Sequence, residues 1–188
     1  MRTEQITGTA ILSALVVVFD YTLKFAGIKI PFPLFPVLKF DLDGIPIVLS
    51  LLLYGPYSGL ATCFVAFVAI LARSGAVLSA SMKAIAEFGT IAGMVPFYKI
   101  HSTGSRGLAI VCGISVRVLI MVFANLAAWP LVFQSVDAAI AFIPFLAAFN
   151  VIAGAISISG GYLIHKALAT RAPTCLLYTS PSPRDRQK

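Results

Sequence analysis

Lys83 and Glu87 stand four positions apart inside one long apolar run, Leu78 to Tyr98. That spacing places both on one face of a helix, close enough to pair. A charge at membrane depth is costly, so it faces the interior of a helix bundle or a polar cavity. The two residues therefore either tie helices together as a neutral pair or line a cavity for a polar ligand. Asn125 and Asn150 lie within two further apolar runs. Each amide offers two donors and an acceptor, which suits the mixed C=O and N–H edge of a heterocycle. Interhelical hydrogen bonding is the other use of such residues in membranes. Arg117 sits roughly ten residues into its run and is expected to snorkel to the cytoplasmic interface.

Other chemistries find little support. The two histidines are His101, in a polar stretch, and His165, at the end of an apolar run. Neither is placed to activate a buried serine, which argues against an intramembrane hydrolase. Cys63 and Cys112 fall within apolar runs, where a thiol behaves as a small hydrophobe. No CxxC or Cys/His spacing suggests a metal or disulfide framework. There is no GxxxxGK[ST] loop with which to cradle ATP phosphates. No enzyme activity, metal or cofactor is expected of the chain itself.

The elements that carry these residues follow from composition. Of 188 residues, 59% are apolar and 11% charged, with a mean hydropathy of +0.96. Soluble domains carry roughly a quarter charged residues, so this chain must turn its outer surface to lipid. The net charge of +7 comes without a basic stripe interleaved with aromatics, so it reads as residues flanking spans and not as a nucleic-acid surface.

Apolar runs predict an all-α membrane bundle of six helices: about Ile6 to Ile28, Gly44 to Tyr54, Pro56 to Ala72, Leu78 to Tyr98, Leu108 to Phe133 and Ala138 to Ile164. The second is short for a hydrocarbon core of roughly 30 Å. Between the first two, Lys29 to Lys39 holds Pro31, Pro33 and Pro36, which forbid a regular helix. It is expected to be an extended, aromatic-rich loop that packs over something. Asp43 is expected to cap the second helix, and Gly55-Pro56 to make a tight turn into the third. Tyr98 and Trp129 fit an interfacial aromatic belt.

Residues 1–174 are expected to form one membrane domain. Cys175 to Lys188 breaks abruptly with everything before it, and its opening resembles one reading frame of a transposon-based sequencing adapter. It is read as non-native and disordered and is excluded from the fold. Six spans place both termini on one side, with Arg2, Lys99, Arg106, Lys166 and Arg171. Lys24, Lys29, Lys39 and Arg73 face the other. The positive-inside rule favours cytoplasmic termini by a small margin.

Small residues make smooth stripes where helices can approach closely. Ala10 and Ala14 are one such stripe, and Gly154, Ser157, Gly160 and Gly161 are another.

From about Thr7 to Leu168 the chain resembles an S component of the energy-coupling factor (ECF) transporters, most closely the riboflavin-specific branch. Ala10-xxx-Ala14 is similar to that family's docking face for its transmembrane coupling subunit. Leu38-Lys-Phe-Asp-Leu-Asp-Gly-Ile-Pro46 resembles the branch's Lys-Phe-Asp-Phe-Ser-Asp-Ile-Pro segment, and Gly55-Pro-x-x-Gly59 matches the turn that follows. Glu87-Phe-Gly falls where the branch has Glu-Leu-Ala-Asn-Phe. Arg117 to Asn125 resembles the segment supplying a flavin-contacting Asn, and Phe149-Asn-Val-Ile-Ala153 resembles Phe-Asn-Leu-Ile-Lys. The branch's Lys is Ala153 here, a departure that admits a related flavin or another flat vitamin.

The resemblance implies a multi-pass subunit of a prokaryotic plasma membrane. It would capture a vitamin from outside and join a coupling subunit and two ATPases that drive uptake. It implies Lys39, Phe40, Asp41, Glu87, Asn125 and Asn150 as substrate-binding residues, with lids at Lys29 to Asp43 and Ser74 to Ser79. The competing expectation is a self-sufficient small channel or secondary transporter using Lys83 and Glu87 for an ion or proton path. No clear inverted repeat supports it.

Overall fold

The computed structural model describes residues 3–27, 30–33, 35–99, 103–128 and 135–171. Lys29, His101, Trp129 and the segment 175–188 fall outside them. The elements in chain order are α1 (Thr3–Phe25), β1 (Ile30–Phe32), β2 (Phe35–Phe40), α2 (Gly44–Tyr54), α3 (Pro56–Ser74), α4 (Val77–Met94), α5 (Thr103–Ala127) and α6 (Val136–Arg171). Six helices are thus present among the described residues. Four of them, α1, α3, α5 and α6, are long and apolar enough to cross a membrane.

The short helix α2 has a different part. Eleven residues rise about 16 Å, and Gly44 and Pro46 to Leu51 are all buried. A helix apolar on every side belongs in a core. Accordingly α1, α3, α4, α5 and α6 pack each on the next in that order, while α2 lies against α1, α3, α4 and α6. Ile47, Val48 and Leu51 form the centre of the apolar core with Val16, Ile91 and Ile158. Close approach is possible because α6 offers glycine there: a Cβ on Gly161 would lie 2.6 Å from Val48 Cγ1.

Two tight connections fold the bundle back on itself. Gly55, at φ 93°, is the single residue between α2 and α3, and Pro56 opens α3 where its missing N–H costs nothing. Gly75, at φ 64°, closes α3 with its N–H donating to Leu71 O at 2.8 Å. Both positions require the left-handed backbone that glycine adopts without strain.

The proline-rich connection is more ordered than an extended loop. β1 and β2 pair antiparallel, Ile30 opposite Phe40 and Pro31 opposite Lys39, with an irregularity between Pro31 and Phe32. Phe32 is buried beneath this hairpin, at 4% exposure.

Large apolar side chains cover the outside, among them Ile11, Val18, Phe64, Val111, Phe123 and Leu163. Water would not tolerate that surface on a monomer, whereas lipid matches it. The chain is a multi-pass membrane protein.

Candidate functional site

The ends of several helices enclose a cavity of about 360 Å³. The last turns of α1 and α3, the first turns of α4, the second half of α5 and the middle of α6 line it, with β2 at its side. From Ser79 at the rim to Glu87 at the floor is eight residues of α4, or about 12 Å.

The floor is a buried polar network. Arg117 Nη1 donates to Glu87 Oε1 at 2.9 Å and to Thr90 Oγ1 at 3.0 Å. Arg117 Nε donates to Asn150 Oδ1 at 3.2 Å, and Asn150 Nδ2 donates to Leu146 O at 2.9 Å. Exposure is 5% at Arg117, 3% at Glu87 and 1% at Asn150. Arg117 therefore does not snorkel: α4 and α6 offer it a carboxylate, a hydroxyl and an amide oxygen, which satisfy a guanidinium better than a stretched path to an interface. Glu87 Oε2 is buried without a hydrogen-bond partner. Such an atom is costly in a low dielectric, so the floor retains capacity for a donor.

Lys83 does not pair with Glu87 either. One turn nearer the rim, its ammonium meets Asp41, which follows β2, and Asp43, at 2.5 Å, which precedes α2. Two carboxylates from another part of the chain outcompete one on the same helix. Asp43 makes no side-chain cap to α2, its own backbone being helical at φ −64° and ψ −26°; Oδ2 meets Lys83, and Oδ1 is buried without a hydrogen-bond partner. The ion pairs tie the hairpin to α4.

The wall between floor and rim is aromatic and apolar. Phe40, brought in by β2, stacks on Phe149 of α6 with centroids 4.8 Å apart and planes 28° off parallel. Phe32 meets both rings edge-on at 5.8 Å. Met82, Ala86, Met121 and Ala153 complete this region. Flat π faces beside polarizable Met side chains suit a planar ring.

At the rim, Arg73 of α3 grips Asp20 of α1 with two hydrogen bonds, Nε to Oδ2 at 2.5 Å and Nη2 to Oδ1 at 3.2 Å. Lys24, Lys39, Ser74 and Ser79 stand around the same mouth.

Lys39, Phe40, Asp41, Glu87 and Asn150 are thus gathered around one cavity. Asn125 is not among its lining residues; its Nδ2 donates to Met121 O, one turn back on its own helix, at 2.9 Å. Lys83 lines the cavity, one of the two uses its position allowed. Arg117, expected at the interface, and the Asp20–Arg73 pair are lining groups the sequence did not place there. Asp20 carried a signal, a carboxylate within an apolar helix, but nothing local named its partner 53 residues away. Among the described residues no group of His, Cys, Asp and Glu is placed to hold a metal ion. Ala10 and Ala14 lie exposed on α1.

No family model matches the chain, and no curated protein matches it. Among solved structures, it is similar to the S component of a bacterial ECF transporter. The TM-score is 0.76, at 20% sequence identity, over 90% of this chain and 98% of that one. The chain shares the fold of that S component over 90% of its own length.

Proposed function

We propose that this protein is the substrate-binding membrane subunit of an ECF-type importer, capturing a vitamin, riboflavin or a related flavin, for ATP-driven uptake by partner subunits. The observation that carries this reading is a cavity with an aromatic wall at Phe40 and Phe149 and a hydrogen-bonding floor at Glu87, Arg117 and Asn150. It lies inside a fold similar to that of an ECF S component. A planar ring lies against the wall, and its polar edge meets the floor. Lys39 and Asp41 take the ligand's polar side chain at the mouth. The mouth faces outward and the termini face the cytoplasm of a prokaryotic cell.

Arg117 supports a flavin despite Ala153. A cationic donor missing from α6 is replaced by one from α5 that reaches the same cavity. The exposed Ala10–Ala14 stripe is the surface on which a transmembrane coupling subunit docks, bringing two ATPases with it.

The test is a titration of the full chain in detergent with riboflavin, following flavin fluorescence. Saturable quenching at sub-micromolar ligand is expected. Well-folded protein that leaves the fluorescence unchanged rejects the flavin.

A further inference from the structure

Charge is unevenly distributed along the cavity. Arg73 is matched by Asp20, Arg117 by Glu87, and Lys83 by Asp41 and Asp43. Arg117 with Glu87 and Lys83 with Asp43 leave the inner part without net charge, while Asp41, also held by Lys83, stands at the mouth. Two cations remain at the rim, Lys24 in the last turn of α1 and Lys39 on β2. Both are exposed, and neither ammonium makes an ion pair or hydrogen bond among the described residues. Ser79 stands on the same rim, in the first turn of α4, with its hydroxyl likewise uncommitted.

Such a cavity has a direction. A negative group finds its positive partners at the mouth, where Lys24 and Lys39 outnumber Asp41, while the charge-balanced floor takes a neutral ring. We propose that the ligand carries a phosphate monoester at the end opposite its ring, held at the mouth by Lys24 and Lys39 with Ser79 donating to it. A phosphate monoester brings about −1.5 to −2 at neutral pH and three acceptor oxygens, which suit two ammonium groups and a hydroxyl; a carboxylate would leave one lysine unmatched. The proposal rests on the cavity being the substrate site, as above. On that reading the mouth faces outward, the side on which lysines are disfavoured in multi-pass proteins. Two of them on one cavity rim then call for a ligand to explain them.

The test compares neutral and phosphorylated pairs on the full chain in detergent: riboflavin with riboflavin 5′-phosphate, and pyridoxal with pyridoxal 5′-phosphate. Binding is read by fluorescence and by thermal shift. The phosphorylated member of one pair is expected to bind about tenfold more tightly, the effect of one charge-assisted contact. That preference should shrink as salt rises from about 0.05 to 0.5 M. In the K24Q/K39Q double variant the ratio should fall to about one. Riboflavin binding with no gain for its phosphate overturns the proposal and leaves the flavin reading standing. A preference for pyridoxal 5′-phosphate without flavin binding does the reverse. If the lysines serve only as helix-end and interfacial charges, the double variant lowers stability but keeps the ratio, which also overturns it. No binding by any of the four compounds rejects both.

Discussion

Arg117 and Glu87 form an ion pair across α5 and α4 at 2.9 Å, both almost wholly buried at the floor of the cavity. A pair so placed is a weak source of net stability, because both charges were taken out of water. Losing one partner is another matter. Arg117→Ala strands a carboxylate and removes the Nε–H donor to Asn150, at a cost of about 3–5 kcal/mol. Thermal unfolding in detergent should show a clear fall in Tm. Arg117→Lys keeps the charge but not the fork of donors, and should recover stability only in part. An unchanged Tm for Arg117→Ala would mean the pair is not formed.

The two asparagines differ in the same physical terms. Asn150 accepts from Arg117 and lines the cavity, whereas Asn125 is bonded to its own helix away from the lining. Asn150→Ala should weaken ligand binding at least tenfold, the scale of a lost charged hydrogen bond. Asn125→Ala should stay within about twofold, since it surrenders only a bond within α5. Equal losses at both positions would place the ligand's polar edge nearer the rim, toward the end of α5, than the cavity indicates.

Lys83 holds the hairpin exit and the start of α2 to α4 through Asp41 and Asp43. Lys83→Met removes the cation that Asp41 and Asp43 share and leaves Asp43, which is fully buried, without it. The hairpin should then open more often. Hydrogen exchange at residues 35–41 should rise, and the ligand should dissociate faster with a smaller change in its association rate. Unaltered exchange there would show that the Phe32–Phe40–Phe149 cluster alone holds the hairpin.

Much of the architecture was legible in the sequence because hydropathy is a one-dimensional signal. The apolar runs and the Gly55-Pro56 turn are local chemistry: α2 and the turn fall as expected, and the ends of α1, α3 and α4 lie within four residues of their runs. By contrast, α5 starts five residues earlier and α6 ends seven residues later than theirs. What stayed hidden was partner choice. Lys83 and Glu87 are suited by spacing to each other, yet both turn to other elements, because groups 40 and 30 residues away in sequence lie closer in space. Arg117 was judged by its distance from a helix end, a measure blind to what α4 and α6 present to it. The shortness of α2 was plain; its central position follows only from the packing around it.

Gly161 gives a packing test independent of any ligand. A Cβ there would press on Val48, 2.6 Å from Cγ1 and 2.9 Å from Cβ, and a β-branched partner has little rotamer freedom with which to yield. Gly161→Val should destabilise by about 1–3 kcal/mol, the usual range for overpacking. The measurement is a Tm in detergent beside Gly107→Val, where no neighbour lies within 4 Å and a much smaller change is expected. Similar losses at both positions would point to a general effect of valine in a helix and not to the α2–α6 contact.

The exposed Ala10 and Ala14 test the partner reading separately from the cavity. They lie on α1, whose opposite face turns Leu12 and Val16 into the protein, Val16 within the core. Bulky side chains at 10 and 14 should therefore be accommodated by lipid without disturbing the fold, while blocking close approach of another helix. Ala10→Phe with Ala14→Phe should leave detergent Tm and ligand affinity near those of the unaltered protein. ATP-dependent uptake in cells supplying an ECF module should fall at least tenfold, and co-purification of the coupling subunit should be lost. Binding and uptake falling together would mean that the substitutions reach the cavity through α1, by way of Asp20 and its hold on Arg73. Uptake preserved in full would move the docking surface off this face of α1.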